Sequence, residues 1–368
     1  MIQQKNKYYP GIDLLRFLVA AVIAFLYHFG IIYHASPYIE IRGMNFLYTY
    51  GYLGVELFFM VSGFVMFLSF DIQKNTFSHF LKKRIIRIYP VMIITTIIAA
   101  IGQWVSLGCF GHVSALEVGD GRNTLEAFVL NIIGVQCGWS ANHDSMSING
   151  PTWFISIVMI CYMLFYVIMK YCGNEKEKMN ICFALLIVIG IYLGQHNIDF
   201  PLLYESCGRG YTSFFIGTLM AQIVVSIDTE KKRWSALLMA GLSIVLYFEM
   251  YRLNNLGNIG ITTSLVLNTA IIILITQSKI IRMITDNKFI SWLGKISFSI
   301  YLWNIPIAIW FYLICEVWDK QIEVNKSLFW MHILISIVLA ELTHVFFEKP
   351  VTAFFNNKMK ENNNNGTN

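Results

Sequence analysis

A chain of 368 residues that is 56% hydrophobic, 15% aromatic and only 13% charged, with mean hydropathy +0.58, is too apolar for a water-soluble globule and reads as a polytopic membrane protein. The formal charge of +5 is too small and too dispersed for nucleic-acid binding. Seven cysteines are scattered without C-x-x-C spacing, and no His cluster stands at ligand intervals, so no zinc or iron–sulfur site is expected; one disulfide among Cys109, Cys137 and Cys207 is left open.

The opening segment sets Lys5 and Lys7 ahead of an apolar run, like the start of a signal peptide. No A-x-A site follows and many more apolar segments do, so the run reads as an uncleaved anchor. Runs of spanning length recur at 12–34, 47–70, 88–108, 153–171, 180–195, 210–227, 234–251, 260–277, 289–314 and 328–347. The expected architecture is therefore all-α with about ten transmembrane helices; a lipid-facing barrel would show short alternating segments instead. With both termini cytoplasmic, that side collects every Lys and Arg except Arg42, Arg122, Arg209, Arg252, Lys320 and Lys326, the bias that the positive-inside rule requires.

Residues 1–350 read as one transmembrane domain. Within it, 109–152 is the longest outer connection, glycine-rich, with one weak apolar segment at 125–136 that is too short to span. This connection is expected to dip or to lie at the interface as a lid or acceptor-side loop. The tail 351–368 ends in ENNNNGTN and reads as a disordered cytoplasmic segment, so its Asn365-Gly366-Thr367 sequon carries little weight.

Candidate chemistry begins in the first helix, Gly11 to His34, where Asp13, Arg16 and His28 interrupt an apolar run. A charge at mid-helix costs about 2.5–3.5 kcal/mol on insertion scales, so Arg16 and His28 call for partners. The step from Arg16 to His28 is twelve residues, about 18 Å of a core about 30 Å thick, which puts Arg16 near one face and His28 deep inside. His28 is either a packing histidine bonded between helices or a general base or nucleophile, since His exchanges protons near neutral pH. Asp13 and Arg16 share a helix face and are able to pair with each other.

The second stretch, GYLGVELFFMVSGF, places Glu56 and Ser62 among glycines 51, 54 and 63. Glu56 needs a proton or a cation there, and Arg16 or His28 is the expected partner. In the third, FSHFLKKRIIRIYP (77–90), Arg84 and Arg87 share a helical face beside Lys82 and Lys83. Guanidinium forks bind phosphates bidentately; an ordinary stop-transfer cluster at anionic lipid is the alternative. Later, NGPTWF (149–154) is expected to start a helix at its outer end, and LGKISFSIYLWNIP (293–306) sets Ser297, Ser299, Tyr301 and Asn304 along one span. Most of these polar groups are expected to make helix-packing hydrogen bonds. Glu341 and His344, just before Glu348, either line the cavity or form a boundary salt link.

Together these stretches resemble the membrane-bound acyltransferase-3 family, which O-acylates bacterial surface carbohydrates and related acceptors. The residues carrying the resemblance are Asp13-Leu-Leu-Arg16 with a later histidine, Gly54-Val-Glu-Leu-Phe-Phe-Met-Val-Ser-Gly63-Phe, Arg84-x-x-Arg87-x-x-Pro90, Pro151-x-Trp153, Phe214-Phe-Ile-Gly217, Ser297-Phe-Ser-Ile-Tyr301-Leu-Trp-Asn304 and Glu348-Lys-Pro350. The resemblance implies ten core spans in a bacterial inner membrane, with no permanently bound cofactor. It also implies an acetyl-CoA (acyl-CoA) donor held from the cytoplasm by Arg84, Arg87 and Lys83. His28, Arg16 and Glu56 are the implied catalytic set, Trp153, Ser62, Tyr301 and Asn304 the substrate-binding set, and a glycan or glycolipid hydroxyl the acceptor.

Three positions depart from the family's pattern. Eleven residues, not the usual ten, separate Arg16 from His28, which turns their offset from about 20° to about 120° and requires a π-bulge, a kink or a different partner for Arg16. The glutamate frequent five residues after the tryptophan is Val158, and the histidine frequent after Tyr-Leu is Asn304. The expected function is an integral membrane O-acetyltransferase of the cell envelope. A transporter or flippase moving a polar solute past His28, Arg16 and Glu56 is the rival reading, although the two halves of the chain show no convincing inverted repeat.

Overall fold

The computed structural model describes residues 8–34, 45–71, 76–113, 123–140, 147–196, 198–227, 229–252, 261–355 and 357, and every regular element among them is helical. The first apolar run forms α1, Pro10–Ile32, opened by Pro10 at the first turn, where a missing N–H costs nothing. Next come α2, Leu47–Ser69, and α3, Phe77–Phe110, whose 34 residues reach about 51 Å. Thr76 caps α3 by accepting from the His79 amide at 3.3 Å, and Gly111 closes it with φ 76°. The short α4, Leu125–Ile133, precedes α5, Gly150–Cys172. Then follow α6, Lys176–Leu193, α7, Glu205–Ser226, α8, Glu230–Arg252, α9, Ile261–Gln277, and α10, Lys279–Thr285. The last two are α11, Lys288–Val317, and α12, Lys326–Phe355.

Each apolar run of the sequence falls on a helix, yet only six helices among the described residues are long and apolar enough to cross a membrane alone. These are α1, α2, α3, α5, α11 and α12, and a seventh span results if Ser264–Gln277 and Lys279–Thr285, bent by 75°, act as one. The final helix runs on to Phe355, past the expected end of the domain at 350. Residue 356 and residues 358–368 of the expected tail lie outside the described residues, as do Lys5, Lys7 and residues 114–122 and 141–146 of the outer connection. Among the described residues Cys109, Cys137 and Cys207 are joined by no disulfide.

Two apolar cores meet along α1. Ile12, Leu15, Val19 and Ile23 pack into one with residues of α2, α5 and α7, whereas Ala24, Phe25, Phe29 and Ile32 belong to a second built with α11, α12 and part of α3. The change of partner falls inside a π-helical turn, Val22–His28. Elsewhere small residues set the spacing: a Cβ at Gly63 would run into the Phe214 carbonyl, and one at Gly217 into the Met60 carbonyl, so α2 and α7 cross backbone to backbone. Large apolar side chains such as Trp234, Leu242, Trp330 and Leu334 cover the periphery, as expected of a surface that faces hydrocarbon.

The connection between α3 and α5 doubles back along α3. Trp104 donates to the Asn123 carbonyl at 2.9 Å and the Tyr89 hydroxyl to the Ile133 carbonyl at 2.8 Å. The two anchors are fifteen residues apart on α3, a run along it of about 22 Å. The chain then returns to start α5 at mid-bundle, not at the outer end as the sequence implies: Asn149 Nδ2 donates to the carbonyl of Leu302, the middle of the 30-residue α11. A buried set of amides and hydroxyls seats this return, including Gln136 Nε2 to Thr152 Oγ1 at 2.7 Å and Ser156 Oγ to Gln136 Oε1 at 2.7 Å. Ile148 holds φ 51°, a strained value for a β-branched residue, pinned by Gln103 Nε2 donating to its carbonyl at 2.8 Å.

Candidate active site

At one end of α1 the bundle opens into a cleft lined, among the described residues, by four cations from three helices: Arg16 of α1, Arg84 and Arg87 of α3, and Lys295 of α11. Among the described residues the one acid on its wall is Glu348, which accepts from Ser299 Oγ at 2.5 Å and lies 3.2 Å from His344 Nδ1. Glu348 and His344 belong to a second π-helical turn, His344–Glu348, and Glu341 accepts from Trp292 Nε1 at 2.6 Å. Arg84 is fixed by aromatic faces, its guanidinium 5.4 Å from the Phe80 ring and 5.7 Å from that of Tyr162. Its Nε is buried without a hydrogen-bond partner. Arg16 meets Asp13 only loosely, at 3.8 Å, while Tyr8 donates to the other Asp13 oxygen at 2.5 Å.

Ser62 and Val158 also line this cleft. Val158 therefore leaves an apolar wall where the family's pattern would add an acid, and the cleft stays strongly cationic. Lys83 is exposed and does not line it. Lys295 does, although it lies over two hundred residues further on, where no local pattern links it to the paired arginines.

His28 stands at the end of the π-helical turn. Such a turn takes up one extra residue, and that restores an Arg16-to-His28 offset of about 20° from the 120° of a straight α-helix. Of the alternatives that the spacing demanded, the structure contains the first. The imidazole is half-buried, its ring centroid 5.6 Å from Tyr27 and 6.1 Å from Tyr301. Its Nδ1 is buried with no hydrogen-bond partner, so the packing role that a bonded histidine would have is not supplied there by the protein. Phe154 and Phe58 close around Tyr301, with ring centroids 6.4 and 5.7 Å from it.

Glu56 pairs with neither expected partner. Its Oε1 accepts from Arg209 Nε at 2.6 Å, the carboxylate being fully buried and the guanidinium 18% exposed. The reason is geometric: Gly63 and Gly217 bring α2 and α7 into contact, and Glu56 and Arg209 each lie about two turns before that crossing, on neighbours that run in the same direction. Arg209 also reaches the Tyr52 carbonyl at 3.5 Å and spreads over the Trp153 ring at 5.0 Å. Sequence reading set Arg209 on the outer side, just ahead of the apolar run 210–227; the structure starts α7 one turn earlier, at Glu205, and so takes Arg209 into the helix.

Asn304 turns away from this cluster. Its Oδ1 lies 2.7 Å from Nε2 of His332, a fully buried histidine of α12 whose Nδ1 is 3.1 Å from the Tyr33 hydroxyl. Tyr301 and Trp153 thus stand near His28 and Glu56 respectively, Ser62 stands in the cationic cleft, and Asn304 joins a separate buried network. Its amide Nδ2 has no partner.

The model of a family described as "Acyltransferase domain" matches residues 9–343, which takes in every residue of the site named above except Tyr8, His344 and Glu348. No curated protein and no solved structure matches the chain.

Proposed function

Since the chain belongs to the acyltransferase-3 family, we propose that it is a multi-pass membrane O-acetyltransferase that moves the acetyl group of cytoplasmic acetyl-CoA to a hydroxyl of a cell-envelope glycan or glycolipid. The proposal includes ten spans, both termini in the cytoplasm and residence in a bacterial inner membrane. The observation that carries it is the line along α1: a cleft with Arg16, Arg84, Arg87 and Lys295 at one end and, on the same face of the helix about 18 Å away, the unpartnered imidazole of His28.

Nucleotide phosphates are multiply charged and do not enter lipid, so four cations at the edge of the bundle suit them, and a stacked Arg84 is already oriented for a bidentate contact. The thin pantetheine arm then follows α1 inward. His28 takes the proton of the acceptor hydroxyl as its oxygen attacks the thioester carbonyl. The C–O bond forms, the C–S bond breaks, and the imidazolium returns its proton to the departing thiolate, so no net proton, oxidant or reductant is consumed. An acyl-histidine route uses the same imidazole as nucleophile.

The test is to incubate membranes carrying the protein with acetyl-labelled acetyl-CoA and follow label into envelope glycan. Transfer is expected, and His28→Ala is expected to abolish it at unchanged membrane level. Full transfer by His28→Ala removes the assigned role, and solute movement without label incorporation establishes the transporter reading instead.

A further inference from the structure

The Glu56–Arg209 pair is more than helix glue. The α2–α7 crossing is already fixed by Gly63 and Gly217, where a single added Cβ would strike backbone. A buried ion pair kept only for packing stabilises well when every lone pair and N–H is used, because desolvation otherwise outweighs the attraction. Here half the capacity is unused: Glu56 Oε1 takes Arg209 Nε, while Glu56 Oε2 is buried without a partner. Arg209 reaches the Tyr52 carbonyl only at 3.5 Å.

The surroundings belong to His28 as well. Tyr27 lies 5.6 Å from both His28 and Tyr52, ring to ring, and all three are half-buried, so the wall has an open side. These surroundings contrast with the cationic cleft. Four cations face one engaged acid there; here one carboxylate balances one guanidinium among tyrosines and a tryptophan. Phosphates suit the first. The second suits an uncharged polyol, which gives its O–H to a carboxylate oxygen, accepts from a guanidinium and lays C–H faces on aromatic rings.

We propose that Glu56, Arg209, Tyr27 and Tyr52 form the acceptor subsite, and that it selects a neutral sugar residue over an acidic one. Glu56 Oε2 accepts a hydroxyl proton of the sugar, Arg209 holds Glu56 in place and donates to a neighbouring oxygen, and a uronic acid is rejected by charge against Glu56. This rests on His28 being the transfer centre.

The full-length protein in membranes, transferring label from acetyl-CoA to its own envelope glycan, is challenged with matched competitors: methyl glucoside against methyl glucuronide, and methyl galactoside against methyl galacturonide. At least one neutral member is expected to inhibit, and at least tenfold better than its acidic partner. Glu56→Gln is expected to cut that preference to under threefold and Arg209→Gln to weaken neutral inhibition at least tenfold, both leaving the KM for acetyl-CoA within twofold. The charge-reversed double variant Glu56→Arg with Arg209→Glu regains thermal stability lost by either single change and not neutral-sugar inhibition. The proposal is overturned if no neutral glycoside competes, if both members of each pair compete equally, or if charge reversal restores inhibition together with stability. Absence of label transfer by wild type overturns the acetyltransferase reading itself, a result distinct from all three.

Discussion

Deleting Ala24 is the sharpest perturbation of α1. Ala24 is fully buried inside the π-helical turn Val22–His28, and removing it lets the turn relax to ordinary α-helix. Eleven steps of 100° then separate Arg16 from the imidazole, an offset of about 20°, the facing that the turn already produces. The deletion variant is expected to keep at least a tenth of wild-type kcat/KM and to melt no lower. Adding one alanine after Ala21 does the opposite. It rotates everything downstream by about 100°, which swings a group about 6 Å from the helix axis through roughly 9 Å. Misplacement by about 1 Å already costs about 100-fold in well-oriented sites, so transfer is expected to fall to background. The assay is label transfer from acetyl-CoA at matched membrane levels, with thermal unfolding in detergent as the control for folding. A stably folded deletion variant as inactive as the insertion refutes the reasoning, because the π-turn would then be holding His28 in a way that no α-helical register can.

Two further outcomes follow from the geometry. Arg84→Ala and Arg87→Ala each remove a charged hydrogen bond of about 1.5–3 kcal/mol, or roughly 10- to 150-fold, and are expected to raise the KM for acetyl-CoA at least tenfold; Lys83→Ala, outside the cleft, raises it less than twofold, and an unchanged KM in the arginine variants returns them to a lipid-anchoring role. Gly63→Leu drives a side chain into the Phe214 carbonyl, at a cost of about 1–3 kcal/mol or more for overpacking; the expected reading is a lowered melting temperature with reduced membrane yield, and wild-type melting would show that α2 and α7 do not cross so closely.

Much of the helical framework was legible because hydropathy is local: each apolar run marks its own helix, and each of the ten has one. What failed was depth. NGPTWF carries the signs of a helix start, and a helix does start there, but only the tertiary bond from Asn149 to Leu302 reveals that it starts level with the middle of α11. Similarly, the extra residue between Arg16 and His28 was countable, and counting it sufficed to demand a local defect, though not to choose a π-turn over a kink. Glu56 announced its need for a cation by being an acid in an apolar span. Which cation answered was set by the α2–α7 crossing, a contact between residues separated by about 150 positions, and no spacing rule reaches that far.

That miss has a physical logic. Sorting basic residues by side works because a charge left in lipid is costly, so it averages over residues whose only constraint is lipid. A residue held by a buried counter-charge escapes that constraint and is free to stand among the exceptions to the count. Of the exceptions whose side chains are described, Lys320 lines an exposed pocket beside Glu316 and Asp319, and Lys326 opens α12. Neither enters the bundle. Arg209 alone of these three does, with Glu56 beneath it and Trp153 across its face. In a chain whose charges otherwise sort cleanly, an exception one turn inside a helix therefore points to a buried acid, and Glu56 was the one acid already standing in an apolar span without a partner of its own.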